Sequence, residues 1–173
     1  MFSATESDQL SEREKNLLIK VKAIQQMFER RGLTLSFAES CTGGLLSSVV
    51  ASLPGVSSFF LGSVVSYNKN VKHKILKVPM TLIQVLGEVS TPVALEMARG
   101  VRAELGSDWA LSITGVAGPS GGSVDKPVGT VCFALVGPGF EHSETKSFGV
   151  QGRRKVQELS VDFALELLQK SLI

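Results

Sequence analysis

Glu39-Ser40-Cys41-Thr42-Gly43-Gly44 sets an acid, two hydroxyls, a thiol and two glycines between two apolar segments. The first, Leu33 to Phe37, alternates and reads as a strand; the second, Leu45 to Ala51, reads as a helix. A strand-to-helix turn leaves unpaired N–H groups at the helix start, where an anion or a developing oxyanion can be held. Gly43 and Gly44 let the backbone approach a ligand closely. Ser40 and Cys41 are potential nucleophiles at the mouth of the turn. A capped helix without chemistry accounts for the same residues, so this stretch leaves both readings open.

Two further strand ends are polar: Ser66-Tyr67-Asn68 and Thr114-Gly115. In an open α/β sheet, ligands bind beyond the carboxyl ends of the strands, so parallel strands would bring all three ends to one crevice. Lys72 lies five residues after Tyr67. A desolvated lysine beside a serine can serve as its base. Ser40 with Lys72 as base, Tyr67 sharing the proton relay, and Gly43 and Gly44 N–H groups as oxyanion hole would make an acyl-transfer site. The plain alternative for Lys72 is a surface charge among Lys69, Lys74 and Lys77. Cys41 competes with Ser40, since a thiol at a helix start is expected to ionise more readily. A Cys-His pair would need His73. Thr114 reads either as a loop cap or as a ligand contact. The loop after it, residues 115–122, has the composition of a phosphate cradle without a nucleoside-triphosphatase or dinucleotide fingerprint. Arg153 and Arg154 open a helix whose dipole they oppose, so a ligand phosphate or carboxylate, or a salt bridge to Glu158, must account for them. Lys126 is a further candidate anion contact.

The positioning elements follow from periodicity and punctuation. Ser11 and Glu14 form a capping box ahead of a helix closed by Gly32. Strands are expected at 61–67, 109–114, 128–136 and 142–150, and helices at 68–76, 81–86, from Ser90-Thr91-Pro92 to Gly106, and at 153–171. Helices alternate with strands early and strands run together late. The fold class is therefore α/β: a three-layer α/β/α sandwich with a mixed, mostly parallel sheet and a meander at one side. Residues 1–12 are expected to be a flexible extension and 13–173 a single domain.

The 173 residues carry a formal charge of +2, which argues against a broad basic surface for nucleic acid. No run is long enough for a membrane span, the start lacks the pattern of a secretory signal, and two cysteines make no disulfide framework. A cytoplasmic protein without zinc-type clusters is expected. Mean hydropathy of +0.21 and the exposed-looking Phe59-Phe60 are compatible with a homodimer or higher homo-oligomer.

Residues 38–44, Ser66-Tyr67-Asn68 with Lys72, Val89-Ser90 with Pro92-Val93-Ala94, Thr114 to Pro119 with Gly121-Gly122, and Lys126 to Val131 occur in an order that resembles the CinA C-terminal domain family. The resemblance covers about residues 15–172. Its stand-alone members are nicotinamide-nucleotide amidohydrolases, so it implies a hydrolase without metal or cofactor that converts nicotinamide mononucleotide, a small pyridine nucleotide, to nicotinate mononucleotide and ammonia. It implies Ser40 as nucleophile, with Lys72 and Tyr67 handling the proton. Substrate contacts would come from Cys41, Thr42, Gly43, Gly44, Asn68, Thr114 and Gly115, and the phosphate contact from Arg153 or Arg154. The family usually reads Gly-Asp-Arg where this chain has Gln151-Gly152-Arg153, and Tyr-Ser/Thr-Asn where it has Tyr67-Asn68-Lys69-Asn70. The family name also admits a non-catalytic, nucleotide-binding regulatory domain. Longer members carry an N-terminal molybdopterin-binding-like domain, for which this chain is too short.

Overall fold

The computed structural model describes residues 11–172. Of the extension expected over residues 1–12, the first ten lie outside the described residues, and Ser11 and Glu12 belong to the cap and first turn of α1 (Glu12–Arg31). Ser11 Oγ accepts from the Glu14 N–H while the Glu14 carboxylate accepts from the Ser11 N–H, and Gly32, left-handed at φ 62°, ends the helix. There follow β1 (Leu35–Glu39), α2 (Leu45–Ala51), a single 3₁₀ turn (Val56–Ser58), β2 (Phe60–Val65), α3 (Lys69–Lys74), α4 (Met80–Leu86), α5 (Thr91–Leu105), β3 (Trp109–Gly115), β4 (Thr130–Gly137), β5 (Phe140–Ser147) and α6 (Arg153–Ser171).

The strands form one mixed sheet in the order β2-β1-β3-β4-β5. β1 runs parallel to β2 and β3, whereas β4 is antiparallel to β3 and β5 to β4, so the meander takes half of the pairings. Strand alternation sorts side chains by size. Leu35, Phe37, Leu111, Ile113, Phe133 and Leu135 point to the face covered by α1, α2 and α6, where they meet Val21, Phe28, Leu46, Val161 and Leu168. The opposite face carries the small residues Ala38, Ala110, Cys132 and Ala134 beneath α4 and α5. Small residues there let α5 lie close: Ser112 Oγ donates to the Ala94 carbonyl at 2.6 Å. β1 and β4 are buried along their whole length, as a sheet covered on both faces requires.

Several boundaries move. β1 begins two residues later than the alternating run and ends on Glu39, which makes that acid a strand residue. β5 ends at Ser147 rather than 150. Ser90 stands at the start of α5, but its hydroxyl donates to the Gly87 carbonyl instead of capping a helix N–H. Phe59 is fully buried against Phe28 and Phe60 packs on Phe37, so neither supplies the exposed apolar surface expected of them. Among the described residues no helix is long and apolar enough to cross a membrane.

Candidate active site

The alternation of β1 decides where its last residues point. Glu39 shares the side of Leu35 and Phe37 and reaches the start of α2. There its fully buried carboxylate accepts from the N–H groups of Gly44, Leu46 and Ser47 and from the Ser47 hydroxyl. A carboxylate at a helix N-terminus satisfies donors that the helix itself leaves unpaired. The Gly43 N–H donates to the Ser40 carbonyl. The oxyanion hole expected from Gly43 and Gly44 is therefore not available: both amides are already engaged by the turn. Among the described residues the Cys41 and Thr42 amides meet no acceptor from another residue.

Ser40 continues the side of Ala38, and its N–H donates to the Ile113 carbonyl, which ties the turn to β3. On that side stands Lys72. The plain reading of it as a surface charge is overturned: Lys72 is 1% exposed, although its neighbours Lys69 and Lys74 face solvent. Asn68 fixes the helix that carries it, since the Asn68 side chain caps the Asn70 N–H and its carbonyl accepts from the Val71 and Lys72 amides. Asn68 thus orients α3 and does not line the cavity. Lys72 Nζ donates to Ser40 Oγ at 3.1 Å, to the Ser66 carbonyl at 2.9 Å and to Glu88 Oε2 at 2.9 Å. These three acceptors match the three protons of an ammonium.

Glu88 was missed by the sequence reading. It lies between α4 and α5, 16 residues from Lys72, and its carbonyl accepts from Thr114 Oγ1 at 2.9 Å. The available signal was indirect: a buried lysine requires a counter-charge, and Glu88 directly precedes Val89-Ser90.

Ser40, Cys41, Tyr67, Lys72, Glu88, Thr114, Gly115 and Arg153 border one cavity of about 250 Å³ at the carboxyl ends of the parallel strands, roofed by the loop from Val116 to Gly121. Gly115 has no room for a side chain, because a Cβ there would press on Val131 and the Thr130 carbonyl. Among the described residues Tyr67 makes no hydrogen bond to Ser40 or Lys72; its hydroxyl is held by Arg153 Nη2, and Arg153 Nη1 donates to the Gly118 carbonyl at 2.8 Å. Among the described residues no carboxylate pairs with Arg153, so its charge faces the cavity uncompensated. Arg154 is elsewhere: its Nε donates to Glu158 at 3.1 Å, and it borders a separate cavity with Arg13 and Ser48. Thr42, Gly43 and Gly44 support the turn from behind and do not border the cavity. Lys126, in the segment that continues from the roof loop to β4, donates to the Leu86 carbonyl and ties that segment to the end of α4.

Cys41 borders the cavity with a thiol in the hydrophobic core, and burial pushes its pKa up to about 12. The expectation of an activated thiol at the helix start therefore fails, because desolvation outweighs the helix end. His73 is exposed, and its Nδ1 meets the Val78 carbonyl, so it makes no pair with the thiol. In the native protein Cys41 should resist an aromatic disulfide reagent at pH 8 and react only on unfolding, as read by absorbance with and without denaturant. Rapid native labelling of Cys41 would contradict this burial.

The family model for the CinA C-terminal domain matches residues 19–172. A CinA-like protein of Synechococcus sp. is 46% identical over 150 residues, which is 86% of this chain and 36% of that relative. One of Prochlorococcus marinus is 43% identical over 148 residues, covering 85% of this chain and 35% of the relative. The chain thus spans about a third of the length of these curated relatives. Among solved structures, the competence/damage inducible protein CihA of Agrobacterium tumefaciens superposes with a TM-score of 0.87 at 32% identity, covering 94% of this chain and 96% of that one. A competence-damaged protein (CinA) superfamily protein of Escherichia coli gives 0.86 at 33%, covering 93% and 92%. Sequence match over nearly the whole described chain and superposition over the same span agree: the chain belongs to the CinA C-terminal domain family.

Proposed function

We propose that this cavity hydrolyses the carboxamide of a pyridine nucleotide, converting nicotinamide mononucleotide to nicotinate mononucleotide and ammonia. The observation that carries the reading is a fully buried lysine amine 3.1 Å from a serine hydroxyl at the floor of a solvent-open cavity. A hydroxyl becomes a useful nucleophile only when a base removes its proton, and a buried amine is such a base once it has lost its own. In this reading Ser40 Oγ attacks the carboxamide carbon as its proton passes to Lys72. The tetrahedral intermediate collapses, the C–N bond breaks, and Lys72 returns the proton to the departing ammonia. Water then attacks the acyl-serine, again giving its proton to Lys72, which restores it to Ser40 Oγ. The amide of Cys41, which borders the cavity and meets no acceptor from another residue, is the donor left at the turn for the oxyanion. Arg153 meets the phosphate, binding that orients the amide from a distance, and Tyr67 holds the guanidinium at the rim. No step requires a metal or cofactor.

Ammonia release from nicotinamide mononucleotide tests this. The wild-type protein should turn it over and Ser40→Ala should fall to background, about 10⁴-fold or more below. Nicotinamide riboside, lacking the phosphate, should be a poorer substrate, and Arg153→Ala should erase most of that preference. Activity surviving Ser40→Ala would overturn the nucleophile, and tight nucleotide binding with no ammonia would favour a regulatory binding domain.

A further inference from the structure

We propose that Glu88 is the proton port of the Ser40–Lys72 pair: it takes a proton from Lys72 and releases it to solvent. The proposal rests on the hydrolase reading above. Lys72 is 1% exposed and points its three Nζ protons at Ser40 Oγ, the Ser66 carbonyl and Glu88 Oε2. In that arrangement no lone pair faces the serine, so the ammonium must lose a proton before it can act as a base. Ser40 is the group to be activated, and a peptide carbonyl does not hold a proton in water. Glu88 is the remaining partner. Its side chain is 39% exposed and borders the cavity, which makes it, among the described residues, the one titratable contact of Lys72 that also touches solvent.

Its position is held from three directions. The Glu88 carbonyl accepts from Thr114 Oγ1, the Gly87 N–H donates to the Ile83 carbonyl, and Lys126, between the roof loop and β4, donates to the Leu86 carbonyl. The proton balance is simple. The Nζ–H bond facing Glu88 breaks, its electron pair stays on nitrogen, and an O–H bond forms at Oε2. Glu88 loses that proton to water through its exposed edge and is again a carboxylate; the step recurs each turnover because the carboxylic acid formed on deacylation gives its own proton to the neutral Lys72 before leaving as carboxylate. The amine turns about its Cε–Nζ bond, keeps protons toward the Ser66 carbonyl and Glu88, and directs its lone pair at the Ser40 hydroxyl.

Three variants and two readouts test the port. Glu88→Gln keeps an acceptor for Lys72 but cannot carry the proton, and Glu88→Ala leaves space for a small carboxylate. Both should lower kcat for nicotinamide mononucleotide by about 10²-fold, in the range of a general acid–base contribution, with KM changing less than about threefold. Glu88→Asp should recover part of the loss. Formate should restore Glu88→Ala in a saturable manner and leave Glu88→Gln unchanged. The second readout needs no nucleotide: sulfonylation of Ser40 by phenylmethanesulfonyl fluoride, followed by intact mass, with Ser40→Ala as blank. There an O–S bond forms, fluoride leaves and the hydroxyl proton passes to Lys72. Glu88→Gln should label at least about tenfold more slowly than wild type, and formate should accelerate Glu88→Ala. Normal kcat and labelling in Glu88→Gln, a loss confined to KM, or failure of formate to rescue would overturn the port. If wild type labels in a Glu88-dependent way yet releases no ammonia, the substrate reading fails and the port stands. Turnover that is indifferent to Glu88 leaves the hydrolase reading intact and removes the port.

Discussion

Replacing Lys72 by methionine should abolish amide hydrolysis while leaving the protein about as stable as before. The two halves of this expectation have different physical origins. The catalytic half follows from proton inventory: among the described residues Lys72 Nζ is the one basic group hydrogen-bonded to Ser40 Oγ, and without it the loss should reach about 10³-fold or more in kcat. The stability half follows from burial. An ion pair taken out of water recovers little more than its desolvation cost, and an apolar residue of similar volume often substitutes without loss. Methionine fills the space of the lysine stem beside Leu76 and Val78 on the small-residue face. Glu88, left without its partner, is 39% exposed and can be rehydrated. Against this, the Ser66 carbonyl and the Ser40 hydroxyl each lose a donor, at about 1 kcal/mol apiece. Urea unfolding should therefore shift by no more than about 2 kcal/mol in either direction. A folded, inactive Lys72→Met would mark the lysine as placed for chemistry. A loss above about 4 kcal/mol would instead make it a structural hub, with the inactivity a consequence of unfolding.

Glu39→Gln should do the reverse, acting on the scaffold first and on turnover through it. The carboxylate receives three backbone N–H groups and one hydroxyl, all from the start of α2, and is itself fully buried. A glutamine presents one oxygen and one NH₂, so one set of those donors faces another donor inside the protein. Unsatisfied buried donors cost about 1–3 kcal/mol each, and the lost charge at the helix start adds a few tenths to 1 kcal/mol. The variant should lose about 3 kcal/mol, or roughly 6–12 °C in Tm for a domain of this size. Ser40 is the next residue along the chain, so its alignment with Lys72 should loosen and kcat should fall with it. A change of less than about 2 °C would mean that water or a shifted α2 satisfies these amides without Glu39.

These two residues show how much the chain discloses before it folds. Glu39 sits at the head of a motif that reads on sight as a strand-to-helix turn, yet its role was hidden behind the hydroxyls that follow. A two-residue change in where β1 ends turns a loop acid into the last strand residue, and strand parity then sends it toward α2 and Ser40 toward Lys72. Lys72 was legible as a candidate by its distance from Tyr67. Nothing local separated it from Lys69, Lys74 and Lys77, because which of four lysines is buried depends on how a six-residue helix docks on the sheet.

The alternatives held beside Ser40 and Arg153, an activated Cys41 thiol and a phosphate contact from Arg154, fall away for a related reason. Position beside a helix start argues for an ionisable thiol, but the thiol lies in the hydrophobic core, and desolvation is the larger effect there. Arg153 and Arg154 are equivalent as sequence. On a helix, neighbouring residues point about 100° apart, so one guanidinium reaches the cavity rim while the other turns along α6 to Glu158.

What the sequence by itself determined is the set of local features: the capping box of α1, the glycine stops at Gly32 and Gly106, the buried β3, the order of elements and the motif order that marks the family. Each depends on residues a few positions apart, whose mutual geometry the backbone already imposes. Only the tertiary structure decided that Gly43 and Gly44 are committed to the turn, that Tyr67 holds Arg153, and that Glu88 closes the charge on Lys72. The last two contacts join segments 86 and 16 residues apart, and the first depends on which way Glu39 turns at the end of β1. Their existence depends on burial and side-chain direction, which are set by packing on the two faces of the sheet. The turn from Glu39 to Gly44 could be read as a place for chemistry with Lys72 as a candidate beside it; that Lys72 is the buried lysine next to Ser40, and that Glu88 pairs with it, became visible only when the sheet brought them together.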